Sequence, residues 1–102
     1  MLSFLKNMFG SNSTNYKLLV SNGAVIIDVR TPGEYSSGNI RGSKNIPLNV
    51  LKSKIPELKK TGKPVIAVCA SGARSGMART MLEQQGIEAY NGGSWLSLVN
   101  KL

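Results

Sequence analysis

VIAVCASGARSGMARTMLEQQG, Val65 to Gly86, decides the reading of this chain. A short apolar run climbs to Cys69, small and polar residues follow, and a helical pattern begins at about Ser75. Such a run, bounded by turn residues, suits a parallel strand buried on both faces. Gly86 stops the helix, and Ile87 to Tyr90 reads as the next strand.

The same alternation extends towards the N-terminus. AVIID, Ala24 to Asp28, is a second β-branched apolar run. A short helix precedes it, Tyr16 to Ser21, with Thr14 or Asn15 as cap and Asn22-Gly23 as stop. TPGE follows it, with Thr31 as N-cap, Pro32 at the first helical position and Glu34 three residues past the cap. That is the signature of a capping box, opening a short helix that ends near Gly38. Asn45-Ile46 is a brief strand closed by Pro47. Leu48, Leu51, Ile55 and Leu58 keep helical spacing across Leu48 to Lys60, and Pro56 within it predicts one kinked helix or two short ones. Thr61 to Pro64 is a turn, Gly92-Gly93 another, and Ser94 caps a closing helix from Trp95 to Leu102. The expected fold is α/β, a small parallel sheet of four to five strands flanked by helices on both faces. Residues 14–102 form the domain, and residues 1–13 are a short N-terminal extension.

Composition narrows the chemistry. The chain has 102 residues, 41% of them apolar, which fits one globular domain with a modest core. A single cysteine excludes an internal disulfide, and with no histidine it leaves only oxygen ligands, which argues against zinc. The missing histidine also removes Ser-His-Asp and Cys-His hydrolases and every histidine general base. Any cysteine chemistry must draw its thiolate from dipoles and cations.

The net charge of +8 reads first as a solvated surface and second as a field that draws a small anionic substrate. Lys52, Lys54, Lys59, Lys60 and Lys63 cluster without an aromatic residue among them, so no nucleic-acid partner is expected. MLSFLKNMFG carries apolar residues at Leu2, Phe4, Leu5, Met8 and Phe9, the pattern of a short helix that docks on the domain or touches a membrane surface. It has no continuous apolar core and no small-residue cleavage site, so a cleaved signal peptide is not expected. No apolar run is long enough for a membrane span, and the expected location is cytoplasmic.

Cys69 lies where ligands sit in open parallel sheets, beyond the carboxyl end of a strand and before a helix. Ala70, Ser71, Gly72 and Ala73 are small enough for their backbone N–H groups to curl around one point, and Gly72 is free to adopt positive φ. The helix from Ser75 adds the positive end of its dipole, and Arg74 a full charge. Such settings lower a cysteine pKa to roughly 3.5–7.5. The alternative is an inert buried thiol. Against it, Cys69 follows the apolar run rather than lying within it, and cationic loop residues come next. Arg79, one helix turn further on, reads as a solvated charge.

Several motifs fall into one family pattern: Asp28-Val29-Arg30, Glu34 within TPGEY, GNIRGS from Gly38 to Ser43, NIP at Asn45 to Pro47, CASGARS at Cys69 to Ser75, and NGG at Asn91 to Gly93. From about Tyr16 to the C-terminus the chain resembles the single-domain rhodaneses, sulfurtransferases of the thiosulfate type. The resemblance implies a catalytic Cys69 and a substrate-binding loop of Ala70, Ser71, Gly72, Ala73, Arg74 and Ser75. Asp28, Arg30 and Glu34 become structural residues near the site, with Asp28 bonded to loop backbone and Arg30 paired with Glu34. Arg41 and Lys44 are weak candidates for steering substrate at the rim.

The reaction so implied is a persulfide cycle without metal or organic cofactor. Cys69 takes the outer sulfur of thiosulfate or a persulfide donor and passes it to a thiol, to cyanide, or to a sulfur-accepting protein. A non-catalytic sulfur-carrier module is the alternative, with a phosphatase or arsenate reductase behind it. Phosphatases that resemble rhodaneses have C-x5-R, a ring wide enough for phosphate, whereas Cys69 to Arg74 spans C-x4-R. The chain departs from the family at Asn39, where His is common, and in the placement of Trp95 close behind Gly93.

Overall fold

Period-two alternation in the strands assigns the layers. The computed structural model describes residues 14–102. The reading of MLSFLKNMFG as a docking or membrane-surface helix falls outside them. The elements are α1 (Tyr16–Ser21), β1 (Val25–Asp28), α2 (Pro32–Ser36), β2 (Lys44–Asn45), α3 (Leu48–Thr61), β3 (Val65–Cys69), α4 (Ala73–Gln84), β4 (Ala89–Ser94) and α5 (Trp95–Val99). Four parallel strands pair in the order β2-β1-β3-β4, as the βα alternation requires.

Val65, Ala67 and Cys69 of β3 face one side, with Ile27 and Val29, and pack against Leu51, Ile55 and Leu58 of α3 and Ala78 and Leu82 of α4. Ile66 and Val68 face the other, with Ile26, Tyr16 of α1 and Leu98 of α5. Helices therefore cover both faces. The alternation also puts the Cys69 side chain on the face where α4 begins.

Local chemistry fixes the ends. Asn15 caps α1, its side chain accepting from Leu18 N at 3.0 Å. The capping box at α2 is complete: Thr31 Oγ1 accepts from Glu34 N, and Glu34 Oε1 accepts from Thr31 N at 3.0 Å. Pro56 does not divide α3, which runs unbroken from Leu48 to Thr61. It lies on the exposed side, so the carbonyl it leaves unpaired faces water, while Leu51, Ile55 and Leu58 anchor both halves to the core.

The last strand differs from the sequence reading. Gly92-Gly93 is not a turn but part of β4, which begins at Ala89 and runs to Ser94. Ala67 pairs with Asn91 and Val68 with Gly93, so Gly92 is the extra residue of a bulge. A Cβ on Gly92 would stand 2.9 Å from both Ile66 Cγ2 and Val68 Cγ1. Glycine is needed there for close approach to β3, which a turn signal does not distinguish. The closing helix is also shorter than expected, ending at Val99, with Ser94 as its cap.

Candidate active site

Cys69 is the last residue of β3, and Gly72, at φ 106°, turns the chain into α4. That turn folds the loop back over the sulfur. Gly72 N donates to Cys69 Sγ at 3.0 Å and Ser75 N at 3.4 Å, with Ser75 Oγ a further 3.4 Å neighbour. Burial pushes the Cys69 thiol up. The Ser75 hydroxyl and the backbone N–H groups of Ser75, Gly72 and Ser71 push it down and prevail, holding it below the ordinary value of 9.0. The charge would be met by dipoles, as at other helix starts.

Two expectations need correction. Cys69 does not stand clear of the apolar run: it is fully buried and belongs to the core layer beneath α3 and α4. N–H groups reach a sulfur only when the loop closes on it, so the geometry that favours the anion also covers it. Ala70, Ser71 and Ala73 above it are exposed, which makes the cover one strand of backbone thick.

The second correction concerns the charges. Arg30 does not pair with the Glu34 carboxylate. It grips Asp28 through Nε at 2.9 Å and Nη2 at 2.7 Å, and reaches only the backbone carbonyls of Glu34 and Gly38, at 3.2 and 2.7 Å. Asp28 also accepts its own loop's Arg30 N at 3.0 Å, the backbone bond expected of it. The Glu34 carboxylate instead takes a bidentate bond from Arg74, at 2.8 and 3.0 Å. Arg74 is therefore half of a neutral pair, and it feels Cys69 only as a weaker charge through space.

The Arg74 guanidinium, then the Thr31 N–H, hold the Glu34 carboxyl down at about 2. A depressed carboxylate contributes stability above its ordinary value of 4.5, lost as pH falls towards 2. The pair ties α2 to the cysteine loop, and as a half-exposed bridge it is partly screened by salt. In a carbon-NMR titration Glu34 should show a midpoint near 2, returning towards 4.5 in Arg74→Gln. An unperturbed wild-type midpoint would mean the bridge does not form in solution.

Asn91 enters the site without having been singled out beyond its place in NGG. Its Oδ1 accepts from Ser75 Oγ at 2.6 Å and Gly93 N at 2.9 Å, and its Nδ2 donates to the Gly72 carbonyl at 3.1 Å. A polar residue breaking the apolar β4 run, just before the double glycine, was the available signal. Arg41 and Lys44 are exposed, and Arg79 pairs with Glu83 at 3.3 Å on the outside of α4. Asn39 is exposed and donates to the Tyr35 carbonyl at 3.0 Å. Among the described residues no helix is long and apolar enough to cross a membrane.

Comparison with known proteins agrees with this arrangement. An uncharacterized Bacillus subtilis protein, YqhL, is 45% identical over 69 residues, 67% of this chain, and the chain spans 54% of that relative's length. A protein named sulfurtransferase from Allochromatium vinosum is 32% identical over 80 residues, covering 78% of this chain and 74% of its own. A rhodanese-like domain protein from Staphylococcus aureus, solved by crystallography, superposes with a TM-score of 0.71 at 32% identity over 86% of each chain. The family model of the Rhodanese-like domain matches residues 11–95, and the chain belongs to that family.

Proposed function

We propose that this chain is a sulfurtransferase that carries a sulfane sulfur on Cys69. One observation carries the reading: Cys69 Sγ sits at a helix start with Gly72 N at 3.0 Å and Ser75 N at 3.4 Å, a setting for a sulfur anion that needs no histidine. The thiolate attacks the outer sulfur of thiosulfate. An S–S bond forms to Cys69, the bond to the sulfonate sulfur breaks, and sulfite leaves with the electron pair. The persulfide anion then gives its terminal sulfur to a thiophile, a thiolate or cyanide, and the cysteine thiolate returns. Access requires the Ala70–Gly72 segment to give way, because Cys69 is covered when the loop is closed.

The named A. vinosum sulfurtransferase supports the reading. Asp28 counts against a phosphatase: it is the chain's only aspartate, and it is buried and committed to Arg30, so it is not at hand as a general acid.

Intact mass after incubation with thiosulfate should rise by one sulfur atom, and Cys69→Ser should abolish the gain. The uptake rate should climb with pH to a midpoint below 9.0, since the thiolate is the attacking form. No gain in mass at any pH would overturn the proposal. Loading without turnover of cyanide would favour the carrier module, with a protein thiol as acceptor.

A further inference from the structure

The hydrogen atoms around Cys69 can be assigned from its neighbours. Asn91 has one possible amide orientation. Turned over, its NH₂ would face the Gly93 N–H and its carbonyl the Gly72 carbonyl, whereas as placed both contacts are hydrogen bonds, at 2.9 and 3.1 Å. Oδ1 therefore carries no hydrogen, and the 2.6 Å bond to Ser75 Oγ must use the serine's only one. Ser75 Oγ can then meet Cys69 Sγ, 3.4 Å away, only as an acceptor. The closed arrangement is that of a thiol, with S–H pointing to Oγ and O–H to Asn91.

A thiolate reverses this. It offers no hydrogen and draws donors, so the Ser75 hydroxyl is contested between the sulfur and Asn91 Oδ1. We propose that Asn91 is a positioning residue that holds the Ser75 hydrogen away from the sulfur in the resting site, and that ionisation of Cys69 moves that hydrogen from Asn91 to Sγ. Asn91 keeps its Gly93 bond throughout, so its acceptor is not left bare. Once Sγ carries a further sulfur, the negative charge lies on the outer atom and the hydroxyl hydrogen returns to Asn91.

A second observation sets Asn91 in place by construction. Gly76 lies inside α4, where glycine is a poor helix former, and a Cβ there would stand 3.2 Å from Asn91 Nδ2. The missing side chain makes room for this amide. The Tyr16 hydroxyl fixes the main chain of the same residue, donating to the Asn91 backbone carbonyl at 3.1 Å. The charged groups around the sulfur pair among themselves: Arg74 of α4 with Glu34 of α2, and Arg30 with Asp28 at the end of β1. β3 contributes no ionisable group but Cys69, and β4 only Tyr90, bonded to Glu88. The serine hydrogen is thus the one movable donor in these contacts.

This inference rests on Cys69 as the reacting group, and its test does not depend on sulfur uptake. Ultraviolet absorbance of the thiolate, with Cys69→Ser as the blank, gives the ionisation midpoint of the single cysteine in four proteins: wild type, Asn91→Ala, Ser75→Ala and the double variant. Asn91→Ala should lower the midpoint by about one pH unit with Ser75 present, the effect of one freed charge-assisted hydrogen bond, and should lower it much less in the Ser75→Ala background. Equal displacement in both backgrounds, or a difference of opposite sign, would overturn the proposal. If Asn91→Ala does not fold, Gly76→Ala displaces the same amide from α4 and should show a smaller Ser75-dependent lowering. Absence of sulfur uptake from thiosulfate would defeat the transfer reading and leave this titration's answer standing.

Discussion

Asp28→Ala should destabilise the domain by about 3–5 kcal/mol, the usual cost of leaving one partner of a buried ion pair alone. That is a large share of the roughly 5–15 kcal/mol a domain has in total. The Asp28 side chain is completely buried and that of Arg30 is 5% exposed. Both Asp28 oxygens are occupied by Arg30, and removing them would strand a guanidinium that cannot lose its proton. The remaining partners of Arg30 are neutral: the carbonyls of Glu34 and Gly38, and the Trp95 ring, 4.7 Å from Cζ to centroid. Arg30 thereby fastens α2 and its following loop to the strand end. The loss should spread to Glu34 and so to the Arg74 bridge over the cysteine loop. Urea unfolding measures the cost, and Asp28→Asn, which keeps shape and an acceptor, should cost less than the alanine. A loss below about 1 kcal/mol would mean the pair is solvated rather than buried.

Much of the fold was legible because local signals and the layer rule agreed. The β-branched runs at Ile26-Ile27 and Val65-Ile66, the Thr31–Glu34 capping box and the βα alternation each have a single favourable outcome. The errors share a cause. Gly92-Gly93 and the Arg30 partner both depend on contacts distant in sequence. A glycine pair codes equally for a turn and for close approach to a neighbouring strand. Pro56 left one helix or two short ones open, and the core contacts of Leu51, Ile55 and Leu58 on both sides of it go with one. Arg30 has acids two and four residues away, and which one it takes depends on whether Glu34 is claimed by Arg74, forty positions on.

The candidate site was legible as a loop but not as a network. Small residues after Cys69 announce that backbone can approach the sulfur, and the structure places Gly72 N and Ser75 N there. Nothing in CASGARS announces Asn91, because that contact needs the β4 bulge to bring the residue beside α4. Burial of Cys69 was missed for a related reason: residue type says that a loop can close, and only the positions of Ser71, Gly72 and Ser75 say how far it has closed. The expected role of Arg74 changes as well. A cation bound to a carboxylate stabilises a nearby anion weakly, and the Ser75 hydroxyl, with the backbone N–H groups of Ser75, Gly72 and Ser71, is left as the support for the sulfur's charge.

Gly92→Ala should cost about 1–3 kcal/mol, although it adds one methyl group and Gly92 needs no left-handed backbone. The added Cβ would meet Ile66 Cγ2 and Val68 Cγ1 at 2.9 Å and the Ala67 carbonyl at 3.2 Å. Ile66 and Val68 are fully buried on the central strand, and the carbonyl is backbone, so no neighbour can swing aside cheaply. The bulge itself must lift off β3, taking Asn91 and Gly93 with it. Gly72 lies against that segment, a Cβ on it falling 3.5 Å from Gly93 Cα, so the cysteine loop would lose both its Asn91 bond and its backing. Reactivity should therefore change with stability: iodoacetamide should modify Cys69 several-fold faster in Gly92→Ala than in wild type at a pH where both are thiolate, because the cover opens more often. Gly33 is the control, since a Cβ there meets nothing within 4 Å, and Gly33→Ala in the short helix α2 should leave both stability and alkylation nearly unchanged. Equal behaviour of the two alanine variants would show that the bulge is not pressed against β3 in solution, and the coupling between β4 and the sulfur would fall with it.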